Sequence, residues 1–142
     1  NVHGQTGAIL VQQVLNGRLD PQELSVIMGA IGNHEEEHGM TAGTVAAAVI
    51  LADKSDVHRS RVRKADHIEF DIHDRVNYAA EQSFLRVDSA AKTVTLELTI
   101  DTEISHVMEY FEIFLGRMVM CRRAAEQLQC RFHLEINGTK LL

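Results

Sequence analysis

Near residue 83 the hydrophobic pattern changes its period, so no single class of secondary structure can carry the whole chain. Val94, Leu96, Leu98 and Ile100 alternate with Thr93, Thr95, Glu97 and Thr99. That two-residue repeat belongs to a half-buried strand. Phe84 to Asp88 can pair with it as a hairpin across Ser89–Lys92. Residues 103–129 return to helical spacing through Ile104, Val107, Met108, Phe111, Phe114, Leu115, Met118, Ala125 and Leu128. Phe132, Leu134 and Ile136 alternate again, and Asn137-Gly138 is a tight-turn signal. Residues 83–142 are therefore expected to form a small β-β-α-β, α+β part with the long helix as its cover.

Everything before residue 83 reads as helix. Residues 5–16 carry Ile9, Leu10, Val11, Val14 and Leu15, and Gly17 supplies a stop. Asp20-Pro21-Gln22-Glu23 is a helix start with a cap, a first-turn proline and an acidic third position. Thr41 opens a third helix whose run Val45–Ala52 is apolar on every side, which predicts burial at the centre. A fourth, amphipathic stretch covers roughly 68–81 through Ile68, Ile72, Val76 and Ala80. The fold expected is a mainly α-helical first half, 1–82, packed against the small α+β part, 83–142.

Composition closes off several functions. The 142 residues are 45% apolar and 24% charged, the balance of a folded chain. A net charge of −6 argues against non-specific nucleic-acid binding, which needs a basic surface. No apolar run approaches the ~20 residues that span a bilayer. Cys121 and Cys130 form no CxxC pair and read as reduced core residues, which points to the cytoplasm.

Six of the eight histidines fall within the first 73 residues, together with many carboxylates. Imidazole and carboxylate together suit zinc, manganese or iron. His34-Glu35-x-x-His38 is a literal H-E-x-x-H, which on a helix would make a zinc protease with Glu35 as base. Its acidic surroundings, bounded by Gly32 and Gly39, point instead to a helix end or loop. Asp53 ends the most apolar helix, where a carboxylate is costly unless it is bound to a metal or paired, here with Lys54 or a nearby arginine. Asp56 follows one turn on, and Arg59, Arg61 and Arg63 form a basic patch suited to phosphate.

The segments His3-Gly4-Gln5-Thr6-Gly7-Ala8, His34-Glu35 and Ala52-Asp53-Lys54-Ser55-Asp56 resemble the later part of HD-domain metal-dependent phosphohydrolases. The resemblance covers about residues 1–65. It implies an HD-like helical bundle for the first half. It makes His3 and His34 the extra metal-binding histidines, Asp53 the final aspartate, and His38 an additional ligand or a substrate contact. Asp56 would orient a ligand, and Arg59, Arg61 and Arg63 would steady a phosphate. The family's first histidine and His-Asp dyad would precede His3; the only such dipeptide, His73-Asp74, follows Asp53 and reads as part of the amphipathic helix. The chain opens on Asn1 without a methionine, so the expectation is a truncated, weakly active piece of a longer protein.

The function expected of the intact protein is metal-dependent hydrolysis of a phosphate ester or nucleotide, with Mn, Fe, Zn or Mg as the ion. No residue is assigned as catalytic. The competing expectation is a non-catalytic HD-like binding or dimerisation module, with helix 103–129 as the face of a homodimer.

Overall fold

A computed structural model describes residues 2–35, 41–62 and 71–141. Helix α1 runs His3–Leu15 and is followed by Gly17 at a φ of 74°, which glycine adopts without strain. Helix α2, Pro21–Gly32, begins where the sequence signals it: Asp20 Oδ1 accepts from the Gln22 N–H at 2.9 Å and Pro21 sits in the first turn. Helix α3 runs Thr44–Lys54, and a single 3-10 turn follows at Arg59–Arg61. Helix α4 is Ile72–Ala79, capped by Asp71 on the Asp74 N–H. It is shorter than the expected 68–81, because the chain becomes extended at Ala80; residues 68–70 lie outside the described residues. Helix α5, Val107–Gln127, starts where the Glu109 carboxylate reaches back to the His106 N–H at 3.2 Å.

Strand β1 is Ala80–Asp88, β2 is Thr93–Ile100, β3 is Arg131–Ile136 and β4 is Thr139–Lys140. They form one mixed sheet in the order β1-β2-β3-β4. The β1–β2 hairpin is antiparallel and pairs Asp88 with Thr93, as the alternation requires. Strand β3 returns through α5 to lie parallel to β2, with Leu96 beside Leu134. Strand β4 is a short antiparallel addition beyond Asn137 and Gly138, whose φ values of 50° and 75° fit a type I′ turn.

One face of the sheet is apolar. Val94, Leu96, Leu98, Ile100, Phe132, Leu134 and Ile136 are buried against Tyr110, Phe114, Met118, Cys121, Ala124 and Ala125 of α5. Helix α3 packs on α5, α2 packs on α3, and α1 packs on α2. Ala47, Ile50 and Leu51 of α3 and Val76 and Ala79 of α4 belong to the same core cluster as the sheet. No helix among the described residues is long and apolar enough to cross a membrane.

This architecture corrects the expected fold class. The first half is helical, but it does not close as an HD-like bundle with the α+β part as an appendage. A bundle closes around its own core, whereas here the core lies between the sheet, α5 and α3. Helix α1 contributes no apolar side chain to the buried core and leaves Ile9, Leu10 and Val14 exposed. The molecule is a four-stranded mixed sheet with helices layered on one face, and the boundary drawn at residue 82 falls inside β1. Helix α3 is also less central than its composition suggests. Ala46, Ala47, Ile50 and Leu51 are buried, while Val45, Ala48 and Ala52 face out. An apolar run of eight residues hides only the sides that its neighbours, α5 and α2, cover. Likewise the apolar stripe of α5 faces the sheet, leaving Met108 and Leu115 exposed outside.

Candidate metal centre

The start of α1 lies against the end of α2, and glycine makes this approach possible. A Cβ on Gly4 would stand 3.1 Å from the Ile31 carbonyl oxygen and 3.3 Å from Glu35 Cγ. A Cβ on Gly7 would meet the Ile31 side chain at 3.0 Å. The glycines of the His3-Gly4-Gln5-Thr6-Gly7 segment thus let His3 reach His34, which follows the α2 C-cap at Asn33.

The two rings meet edge to face, with His3 Nε2 and His34 Nε2 3.1 Å apart. Their other nitrogens are both engaged. His34 Nδ1 lies 2.6 Å from the Ile31 carbonyl oxygen, which only accepts, so Nδ1 carries the hydrogen. His3 Nδ1 lies 2.9 Å from Glu35 Oε1. The Glu35 carboxyl is held below the usual carboxylate range, first by the Gly4 N–H, against the opposing effect of burial, and then by the charges of His3 and His34. An ionised carboxylate only accepts, so His3 also carries its hydrogen on Nδ1. In neutral rings both Nε2 atoms therefore present lone pairs to each other. Such a contact is satisfied by one shared proton or one cation. Two nitrogens ligating a tetrahedral zinc at ~2.1 Å stand roughly 3.4 Å apart, close to this separation. Histidines whose Nδ1–H is fixed by a carboxylate or carbonyl are the usual form of metal ligand.

Asp53 stands near this pair but does not join it. Its Oδ2 is 2.8 Å from Lys54 Nζ. Burial pushes its carboxyl up, but the Lys54 hydrogen bond and the charges of Lys54, His34 and Arg117 outweigh burial and hold it below the ordinary range. Among the described residues, no three histidine, cysteine, aspartate or glutamate side chains converge to hold a metal ion. The structure thus offers two imidazoles and a nearby carboxylate already bonded to a lysine. The donor pair fits zinc, manganese or iron, which imidazole suits, better than magnesium.

The remaining sequence candidates are placed as follows. His38 and Arg63 lie outside the described residues. Asp56 is exposed and ion-paired with Arg61, so it bonds to an arginine and not to a ligand side chain. Arg59 is paired with Glu81 at 2.9 Å and lies over the Tyr78 ring. Two arginines of the basic patch are thus bound to carboxylates of their own surface. His58 is a structural cap: its Nδ1 accepts from the Ser60 N–H, and its Nε2 bonds the Glu81 carbonyl at 3.0 Å. His73 is exposed on α4, and Asp74 sits in that helix's first turn, as the amphipathic reading expects. The zinc-protease geometry is not found for His34 and Glu35. Helix α2 ends at Gly32, and the Glu35 carboxylate faces the Gly4 N–H and His3.

The pairing of Asp53 with Lys54 is the alternative that the sequence offers for this carboxylate, and Lys54 is 5% exposed although it ends α3. Arg117, which reaches from α5 close enough to act on Asp53, escaped the sequence reading. Nothing in residues 103–129 marks Arg117 until α3 is seen to pack on α5.

No family model, curated protein or solved structure matches the chain.

Proposed function

We propose that the chain carries part of the metal centre of a metal-dependent phosphohydrolase acting on a phosphate ester or nucleotide. The observation that carries this reading is the pair of facing Nε2 atoms of His3 and His34, 3.1 Å apart, with both Nδ1 atoms already fixed by acceptors. His3 and His34 would ligate zinc, manganese or iron, and Asp53 would add a carboxylate that already feels the charge of His34. The order histidine, histidine, aspartate resembles HD-domain phosphohydrolases in its site residues, although the helical bundle does not carry over. When bound, such an ion polarises a phosphoryl oxygen and lowers the pKa of its water toward neutrality. The protein's own part is to orient both rings and to keep Asp53 ionised. Lys54 and Arg117 put positive charge beside that carboxylate and hold it ionised.

The test is phosphate release from nucleoside monophosphates by the purified protein with added Mn²⁺, compared with His34→Ala and Asp53→Ala and read alongside metal content. The expected outcome is Mn²⁺-dependent release that falls at least about tenfold in both variants, a loss of the size that follows disruption of metal-site residues. Release indifferent to metal and to both substitutions contradicts the reading. Metal retained through His34 without any turnover favours the second reading, a non-catalytic binding module.

A further inference from the structure

Glu35 is the least expected residue at this site. It is 8% exposed, while the side chain of its partner His3 is 59% exposed. A carboxylate buried to that degree is costly unless its oxygens are matched by donors. One oxygen, Oε1, receives two: the Gly4 N–H at 2.7 Å and His3 Nδ1 at 2.9 Å. The Gly4 amide belongs to the first turn of α1, where backbone N–H groups have no partner within the helix. The positive end of the α1 dipole adds to the attraction. Glu35 is therefore anchored to backbone on one side and to an imidazole on the other. Gly4 leaves no slack between them, since a Cβ there would already stand 3.3 Å from Glu35 Cγ. A side chain held in this way cannot also serve as a mobile general base.

We infer that Glu35 is a positioning residue for the imidazole pair: it fixes the tautomer and ring angle of His3 so that the Nε2 lone pair is directed at His34 and at a cation shared with it, and its negative charge makes that Nε2 a more basic ligand. The inference rests on the metal-site reading above. His34 is oriented differently, by the Ile31 carbonyl at 2.6 Å. The pair is thus asymmetric. Only the His3 side depends on a side chain, and it alone can be altered by a point substitution without touching a ligand.

The experiment is competition for Zn²⁺ between a chromogenic chelator and the wild-type chain, Glu35→Gln, Glu35→Ala and His34→Ala. The melting temperature of each metal-free protein is measured in parallel. Glutamine keeps an oxygen for the Gly4 and His3 donors and removes only the charge. Glu35→Gln is expected to bind Zn²⁺ roughly 10- to 100-fold more weakly, the usual cost of losing an outer partner of a ligand. Its metal-free melting temperature should stay close to wild type. Glu35→Ala should lose both affinity and stability, because it strands the Gly4 N–H. A purely structural role would lower the melting temperatures and leave affinity alone. If His34→Ala weakens Zn²⁺ binding while Glu35→Gln stays within twofold of wild type, the role of Glu35 falls and the imidazole pair stands. If wild type and His34→Ala bind Zn²⁺ alike, both fall.

Discussion

At the scale of single residues, the candidate site is set as much by an absent side chain as by the ligands. Gly4 lets α1 approach the end of α2 closely enough for its amide to reach Glu35. Gly4→Ala is expected to destabilise the protein by ~1–3 kcal/mol, the range for an added methyl group in a packed contact, measured by urea denaturation. It should also weaken Zn²⁺ binding by moving His3. A second residue-scale prediction concerns Glu109. Its carboxyl is pulled down to about 2, first by the Arg75 guanidinium and then by the Ser105 hydroxyl. A carboxyl whose folded pKa is depressed contributes stability above its unfolded value, and that contribution is lost as pH falls. Stability should therefore decline between about pH 4.5 and pH 2, and Glu109→Gln should make that decline shallower. Urea midpoints taken at steps across this window give the answer; identical slopes for the two proteins would refute it. The sequence points to His3, His34 and Asp53 because their residue types are chemically distinctive. It misreads Glu35, since a motif gives spacing but not the direction of a side chain.

At the scale of elements, the strongest local signals held where the physics is local. The Asp20-Pro21 start, the 89–92 hairpin and the Asn137-Gly138 turn all depend on neighbouring residues and appear where the sequence places them. Asn137 does more than turn the chain. Its side chain accepts from the Ile100 N–H at 2.8 Å and donates to the Ile100 carbonyl at 2.9 Å, tying the turn to the end of β2. Asn137→Ala should cost ~1–3 kcal/mol, because the Ile100 backbone groups lose partners in a half-buried place. A thermal-melt change within error would show that water replaces the amide. What proved illegible was the assignment of helices to layers. Val45–Ala52 looks uniformly buried as a string, yet which of its sides is covered depends on α5, more than fifty residues away. The extended start of β1 at Ala80 was hidden for a similar reason: Val76 and Ala80 fit a helical stripe, and only pairing with Ile100 makes Ala80 a strand residue.

At the scale of the whole molecule, one core unites residues that the change of period separates. Phe114 touches both assignments, being on α5 in the same cluster as Leu96 of the sheet and Ile50 of α3. Phe114→Ala is expected to cost ~3–5 kcal/mol and to lower the far-UV circular dichroism and tyrosine fluorescence midpoints together. Separate midpoints would mean that the sheet and α3 unfold independently. The site sits at the outer end of this stack, where the start of α1 meets the end of α2 and the charge of His34 reaches Asp53 at the end of α3, away from the sheet that stabilises the fold. Substituting His3 or His34 should therefore affect binding without unfolding the core. The most direct measurement is calorimetric titration with Zn²⁺ of the wild-type chain and of the His3→Ala/His34→Ala double variant. One Zn²⁺ should bind per wild-type chain, with that binding lost in a double variant that remains folded; equal binding by both proteins would contradict the imidazole pair as a metal centre.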